Sequence, residues 1–195
     1  MHSFLLILTM FLTTFLTTYF TRFLDKNTEE YYKNRTHKYP KIYDIGHKYL
    51  PNLTKYEYIS HLYVLFFSIF FLLPNIFKEF VGFIIPIFLI RLITIHLTIL
   101  PKNEECNIDN EFKVFGGCYD KIFSGHFSVV FLITLLLQKH KYISLLWAFI
   151  LNIINILLIL TTRSHYIIDI VVAFFVTLFI YQNDFTLFRF LKNLK

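Results

Sequence analysis

Long apolar runs alternate with polar segments along this chain. Runs of mostly apolar residues occupy about 3–23, 58–76, 79–100, 123–139, 142–162 and 166–182. A helix needs roughly 20 mostly apolar residues to cross the hydrocarbon core of a bilayer. Because backbone polar groups in lipid must be satisfied within the segment, such runs are read as helices. The pattern therefore predicts an all-α, polytopic membrane protein with about six transmembrane helices.

Two of the polar connections are long. Residues 25–57 are rich in Lys, Glu, Asn, Tyr and Pro, and residues 101–122 form the second long connection. An even number of spans places both termini on one side of the membrane and both long connections on the other. The short link around Arg163 lies on the side of the long connections. Helix counting alone thus predicts that the residues flanking these connections meet at one face.

Composition agrees with a membrane protein and narrows the functional classes. The 195 residues are 56% hydrophobic, include 25 Phe and 13 Tyr, and have a mean hydropathy of +0.56. Soluble domains average about 45–50% apolar residues. The formal charge of +6 comes from basic residues in the segments between apolar runs. That placement fits attraction to anionic lipid head groups and argues against a nucleic-acid partner.

The cues to orientation conflict. Basic residues are more numerous on the side of the long connections, which by the positive-inside rule would be cytosolic. The two glycosylation sequons, at Asn34 and Asn52, and the two cysteines, Cys106 and Cys118, also lie in those connections. A disulfide between the cysteines would require an oxidising, extracytosolic compartment. Spacing alone leaves two free thiols as the alternative.

Two histidines and one aspartate are the candidates for chemistry. Ser-Gly-His at 124–126 opens the fourth apolar run, and His-Tyr-Ile-Ile-Asp at 165–169 opens the sixth. A His-x-x-x-Asp spacing on a helix puts both side chains on one face, so Asp169 can fix the tautomer of His165. His126 is then free to act as an acid, which suits phosphoryl transfer at a membrane surface. Taken alone, each histidine is more often an ordinary helix-end residue.

Three spaced blocks stand along the chain. Residues 91–101 read Arg-x-x-Thr-x-x-x-Thr-x-Leu-Pro, residues 118–126 read Cys-x-Asp-x-x-Phe-Ser-Gly-His, and residues 165–169 read His-Tyr-x-x-Asp. These blocks resemble those of the sphingomyelin synthase family, within the wider lipid phosphate phosphatase superfamily. Pro40 and Asp44 resemble the family's Pro-Leu-Pro-Asp region more loosely. Blocks of this length in the right order are far more specific than Ser-Gly-His alone.

The resemblance implies a transferase that moves a phospho-head group, phosphocholine first, from a glycerophospholipid to ceramide and releases diacylglycerol. It implies His126, His165 and Asp169 as the catalytic residues. The expected partners are ceramide, the donor phospholipid and membrane lipids, without a cofactor or metal. The expected location is the Golgi, plasma membrane or another endomembrane, with the site facing the lumen or exterior. The oligomeric state is left open.

The sequence also departs from the animal sphingomyelin synthases. Residue 164 is serine, where those enzymes carry an acidic residue just before the histidine. The arrangement of Arg163 and His165 more closely resembles the inositol-phosphoceramide and protozoan sphingolipid synthases. These departures leave the donor head group open between choline, ethanolamine and inositol.

The charge that develops on a transferred phosphate requires fixed cations nearby. Arg163 is one candidate, since a guanidinium matches the geometry of a phosphate. Arg91 is a second, because an arginine inside a span is costly and marks either a site or a buried pair. The alternative for Arg91 is a structural salt bridge to Asp44 or Asp120. Ser124 is a third candidate for contact with the phosphate.

These inferences divide the chain and leave two alternative functions. The predicted units are a first transmembrane helix at 1–24, an extracytosolic loop at 25–57, a catalytic sphingomyelin synthase-like core at 58–182 and a cytosolic tail at 183–195. One alternative is a lipid phosphate phosphatase or phospholipase C-like hydrolase, in which water replaces ceramide. The other is a non-enzymatic lipid-binding or scrambling protein. The block at 91–101 and the lack of the phosphatase block Lys-x6-Arg-Pro favour transfer.

Overall fold

A computed structural model describes residues 15–17, 19–23, 26, 28–30, 42–101, 118–186 and 189. Its bounded α-helices are α1 (Ile45–Tyr49), α2 (Glu57–Ser68), α3 (Pro74–Leu97), α4 (Gly125–Lys139), α5 (Leu145–Thr161) and α6 (Ile167–Gln182). Short 3₁₀ helices cover Thr54–Tyr56 and Ile69–Leu72, on either side of α2. No β-strand occurs among the residues described. Over this part of the chain, the all-α prediction is confirmed.

One of these helices is long and apolar enough to cross a membrane by length and composition. That helix is α3, with 24 residues, whereas α4, α5 and α6 are apolar but have 15, 16 or 17 residues. A full crossing needs roughly 20 residues. Residues 15–17 and 19–23 of the first predicted span are helical, and the rest of that span lies outside the described part. The count of six spans therefore stays a prediction.

Local sequence explains where the central helices begin. Pro74 occupies the first turn of α3, where its missing N–H costs nothing. The Ser124 hydroxyl accepts the Phe127 N–H at 3.3 Å and caps α4. The Ser144 hydroxyl caps α5 in the same way. The cap at Ser124 fixes the start of α4 and so places His126 in its first turn.

Helix α4 forms the centre of the bundle. It contacts α2, α3, α5 and α6. Its side chains Leu132, Ile133 and Leu136 are fully buried in the apolar core. Polar pairs also join it to its neighbours: the Asn152 amide donates to the Thr134 hydroxyl at 2.7 Å. Such pairs hold helices together where apolar surface alone gives little preference.

The outer face of α5 has the character of a surface that contacts lipid. Leu145, Trp147 and Phe149 are 73%, 58% and 64% exposed, while Asn155 on the inner face is 1% exposed. In water a helix would bury its large apolar side chains and expose its amide. The reversed arrangement suits a helix surrounded by hydrocarbon. This surface agrees with the membrane location expected from the sequence.

Candidate active site

Four helix ends meet at one end of the bundle. The Ser124 N–H donates to the Asp169 carbonyl at 3.2 Å and joins the starts of α4 and α6. The Leu53 N–H donates to the Thr161 carbonyl at 2.8 Å and joins the connection before α2 to the end of α5. Six predicted site residues lie at this end: His126, His165, Asp169, Arg163, Arg91 and Ser124. Cys118 stands two residues before Asp120, which pairs with Arg91.

His165 and Asp169 form a buried pair. The His165 Nδ1 atom lies 3.0 Å from Asp169 Oδ2, and the two side chains are 4% and 0% exposed. The same carboxylate accepts the Tyr166 N–H at 2.9 Å and the Ile122 N–H at 2.8 Å. Because a carboxylate can only accept, Nδ1 of His165 carries the proton. The Nε2 atom of His165 is left with its lone pair, which is the state a nucleophile needs.

The contact between His165 and Asp169 arises from helix capping and not from the predicted helical spacing. Helix α6 begins at Ile167 with Tyr166 as its N-cap, so His165 precedes the helix. Asp169 is the third helical residue, and its side chain turns back to the N-cap N–H and meets His165 there. The prediction that both residues lie on one face of a helix was wrong. Capping, rather than helical periodicity, sets the contact.

His126 is paired with a second histidine. Its Nε2 atom lies 2.7 Å from Nδ1 of His61, which is on α2 and 65 residues away in sequence. A hydrogen bond between two imidazoles requires one N–H and one lone pair. The ring centroids of His126 and His165 are 6.4 Å apart. His61 could not be linked to the site from the sequence, because no spacing or block connects it to the motifs.

The Arg91 guanidinium has a paired terminal nitrogen and an unpartnered Nε. One terminal nitrogen lies 2.5 Å from Asp120 Oδ2, and the two side chains are 7% and 3% exposed. Of the two partners considered from the sequence, Asp120 is the one present. The Nε atom is buried and has no hydrogen-bond partner among the described residues. It lies 3.2 Å from the point where a Cβ on Gly125 would sit, so the guanidinium faces the start of α4.

Arg163 and Ser124 have structural partners at this end of the bundle. The Arg163 guanidinium donates to the Leu50 carbonyl at 2.8 Å and to the Leu160 carbonyl at 3.3 Å. These bonds tie the connection before α2 to the end of α5. The backbone of Arg163 is left-handed, with φ of 59°, which closes the turn after α5. The Ser124 hydroxyl is fully buried and acts as the cap of α4.

Three further side chains reach the site. The buried Lys121 ammonium donates to the Ser164 carbonyl. His47 Nε2 donates to the His165 carbonyl at 3.0 Å, and burial lowers the pKa of His47, which keeps its ring neutral. Asp44 accepts the Ile167 N–H at 2.8 Å and so supports the start of α6. Only Asp44 was marked in advance, through the loose resemblance around it.

Cys118 is buried and disulfide-bonded. The other cysteine of the chain, Cys106, lies outside the described residues.

Across 42–101 and 118–186, no three His, Cys, Asp or Glu side chains cluster closely enough to hold a metal ion.

Comparison with known proteins assigns the segment that carries most of this site. The family profile described as PAP2 superfamily C-terminal matches residues 117–185. The matched segment contains α4, α5 and α6 and carries His126, His165 and Asp169. Arg91 and His61 lie on helices that precede the matched segment.

The chain is also similar to two rice proteins. They are the phosphatidylinositol:ceramide inositolphosphotransferases of Oryza sativa subsp. indica and of Oryza sativa subsp. japonica. Each is 29% identical over 174 residues, which covers 70% of this chain and 53% of the relative. The chain thus spans about half the length of these relatives. Together with the match to the PAP2 superfamily C-terminal profile, this similarity confirms the resemblance to the sphingolipid synthases.

Proposed function

We propose that this protein transfers a phosphorylated head group from a glycerophospholipid to ceramide and releases diacylglycerol. The observation that carries the proposal is the buried pair of His165 and Asp169, which leaves the Nε2 lone pair of His165 available. The ring of a second histidine, His126, lies 6.4 Å from the ring of His165, measured between centroids. One phosphoryl group between the rings could contact both. The ceramide acceptor is supported by the names of the rice relatives.

The first half of the reaction forms a covalent intermediate on His165. Its Nε2 lone pair attacks the donor phosphorus, and a P–N bond forms as the bond to the diacylglycerol oxygen breaks. His126 gives a proton to that oxygen, and diacylglycerol leaves as a neutral alcohol. The Asp169 carboxylate stabilises the positive charge that develops on the ring of His165.

The second half regenerates the enzyme. The primary hydroxyl of ceramide enters on the side of His126, which has lost its proton and now accepts the hydroxyl proton. The alkoxide oxygen attacks phosphorus, and the P–N bond to His165 breaks. The head group is then on ceramide, and both histidines have returned to their starting state. Arg91, Arg163 and Ser124 are the proposed contacts for the non-bridging oxygens, because fixed cations act strongly in a water-poor site.

Two donor head groups are candidates. Phosphocholine is the first expectation from the sphingomyelin synthase resemblance. Phosphoinositol is the second, because the rice relatives are named as inositolphosphotransferases and the arrangement of Arg163 and His165 resembles that group. The donor is therefore identified by comparing phospholipids with different head groups in one assay.

A lipid-transfer assay tests the proposal. The protein is made in liposomes free of cellular sphingolipid enzymes, with fluorescent ceramide and either phosphatidylcholine, phosphatidylethanolamine or phosphatidylinositol. We expect a new phosphosphingolipid with one donor, together with diacylglycerol. Formation of diacylglycerol or free phosphate without a ceramide product would contradict the transferase hypothesis and favour the hydrolase. A lack of any turnover would favour a lipid-binding or scrambling protein.

We also propose that the site faces the lumen or the exterior of an endomembrane or the plasma membrane. The disulfide at Cys118, at the same end of the bundle as His165, supports an oxidising compartment. This arrangement places 25–57 on the extracytosolic side and 183–195 in the cytosol.

Replacing His61 is expected to affect transfer through His126. In His61→Ala the Nε2 atom of His126 loses its partner, and we expect kcat to fall by about tenfold, less than the 10²–10⁴ typical of losing an acid–base group itself. In His61→Gln the amide can still bond to His126, and we expect most of the activity to remain. Equal kcat values for the two variants would contradict a positioning role for His61.

The ion pair of Arg91 and Asp120 allows structure and catalysis to be separated. Asp120→Ala is expected to cost about 3–5 kcal/mol of stability, because it leaves a buried guanidinium uncompensated. The double variant Arg91→Met, Asp120→Leu should recover most of that stability, since an apolar pair can replace a buried ion pair. It should not recover transfer, because the cation facing Gly125 is gone. Thermal unfolding in detergent and the liposome assay check both points; recovery of transfer would make Arg91 purely structural.

A further inference from the structure

Lys121 is a buried cation that forms no direct ion pair with a carboxylate in the described structure. Its side chain lies in the interior, with the residue 3% exposed. Within residues 42–101 and 118–186 its ammonium makes one hydrogen bond, to the Ser164 carbonyl, and no ion pair. An ammonium has three N–H donors. Two donors on a buried charge therefore remain available for a ligand.

A buried ammonium is disfavoured when its N–H donors lack acceptors, and charged groups inside membrane proteins by default mark a substrate path or a partner. The nearby Asp169 carboxylate offsets part of the charge of Lys121. Its oxygens already accept from His165, Tyr166 and Ile122, and its ion pair is with His165. Two N–H donors of Lys121 are thus left to a group outside the described residues.

The position of Lys121 places it beside the reacting groups. Its hydrogen-bond partner, Ser164, directly precedes His165, and its neighbour Ile122 bonds to Asp169. Ile122 has φ of 83°, a conformation that β-branched residues rarely adopt and that persists only where the surroundings enforce it. This turn fixes the backbone next to Lys121. Arg91, with its unused Nε, lies against the start of α4, the helix that begins four residues after Lys121.

We propose that Lys121 binds the non-bridging oxygens of the phosphate that is transferred, together with Arg91. This inference rests on the proposed function, since it names a contact of the same phosphate. An anionic phosphodiester supplies negatively charged acceptors for the two remaining N–H donors. Lys121 stands at an unspecified position of the block at 118–126, which is why the block alone does not reveal it.

The first test measures anion binding without catalysis. The probe is tungstate, a phosphate analogue, titrated into the purified protein in detergent by calorimetry and by thermal unfolding. We expect Lys121→Gln, whose amide can still donate to Ser164, to bind tungstate about 10- to 100-fold more weakly, because a charge-assisted hydrogen bond is lost. The matched control is Lys139→Met, since Lys139 pairs with Glu79 at the other end of α4. That control should bind tungstate with the wild-type Kd.

Two results would overturn the proposal. One is a Lys121→Gln protein that unfolds at the wild-type temperature without ligand and binds tungstate with an unchanged Kd. The other is a wild-type protein without saturable tungstate binding. Because the titration needs no turnover, it gives its answer even if the liposome assay shows no head-group transfer.

A second measurement uses the unaltered chain and covers the case in which Lys121→Gln does not fold. The wild-type protein is treated with an acetylating reagent, and the peptide that contains Lys121 is quantified by mass spectrometry. Tungstate is expected to slow acetylation of Lys121 at least about tenfold and to leave Lys139 unaffected, since bound anion occupies the free donors. Equal labelling of Lys121 with and without tungstate would contradict the proposal.

In the liposome assay, Lys121→Gln distinguishes a contact with the donor phosphate from a purely structural role of Lys121. Lys121→Gln is expected to lower kcat/KM for the donor phospholipid about 10- to 100-fold, with the KM for ceramide unchanged. Lys121→Arg, which retains the charge, should recover part of that loss. A loss shared equally by donor and ceramide, and not recovered by arginine, would indicate a purely structural lysine.

Discussion

His165→Asn should abolish head-group transfer, with a loss of about 10⁴- to 10⁶-fold in kcat, the range seen when a nucleophile is removed from an enzyme that works through a covalent intermediate. The asparagine amide has no lone pair comparable to Nε2 of imidazole and cannot form the P–N bond. It can still donate to Asp169, which keeps the start of α6 intact. The measurement is the initial rate of phosphosphingolipid formation in liposomes.

The control for this variant is His96→Asn. His96 lies on the exposed side of α3, where its ring bonds to the Leu92 carbonyl at 2.7 Å. We expect it to retain wild-type activity. Labelled donor without ceramide should also leave acid-labile, base-stable label on the wild-type protein and none on His165→Asn. More than about 1% residual transfer in the variant, far above the expected remainder, would rule out His165 as the nucleophile.

Asp169→Asn is expected to lower kcat by about 10³- to 10⁴-fold, as when the orienting carboxylate of a catalytic triad is replaced by its amide. The carboxylate holds the proton of His165 on Nδ1 and stabilises the charge that develops on the ring. An amide can turn its NH₂ toward Nδ1 and so favour the wrong tautomer. In that orientation the NH₂ also opposes the Tyr166 N–H, while the amide oxygen still accepts from Ile122, which should cost about 1–3 kcal/mol of stability.

The two effects of Asp169→Asn can be measured separately. Activity is compared at a temperature where circular dichroism shows the variant to be folded, and kcat should fall while the KM for the donor changes little. Asp184→Asn is the matched control, because Asp184 forms an exposed ion pair with Arg189 at 3.4 Å. A folded Asp169→Asn protein with activity close to that of Asp184→Asn would contradict the proposed role of the carboxylate.

Much of the fold could be anticipated from the sequence because the relevant signals are local. Apolar runs coincide with α3, α4, α5 and α6, since burial in protein or lipid favours a continuous apolar helix. The Ser124 and Ser144 side chains cap α4 and α5 and fix where these helices begin, through hydrogen bonds within one turn. Span number could not be fixed in the same way, because α4 to α6 are shorter than the apolar runs that contain them.

The sequence by itself determined which residues flank the helix ends and are proposed to carry the chemistry. His126, His165 and Asp169 stand in blocks whose spacing can be read directly along the chain. Only the tertiary structure decided their partners. The choice of Asp120 for Arg91, the contact of His61 with His126 and the burial of Lys121 each join residues on different elements. Periodicity and caps act over one or two turns, whereas these contacts depend on how whole helices pack against α4.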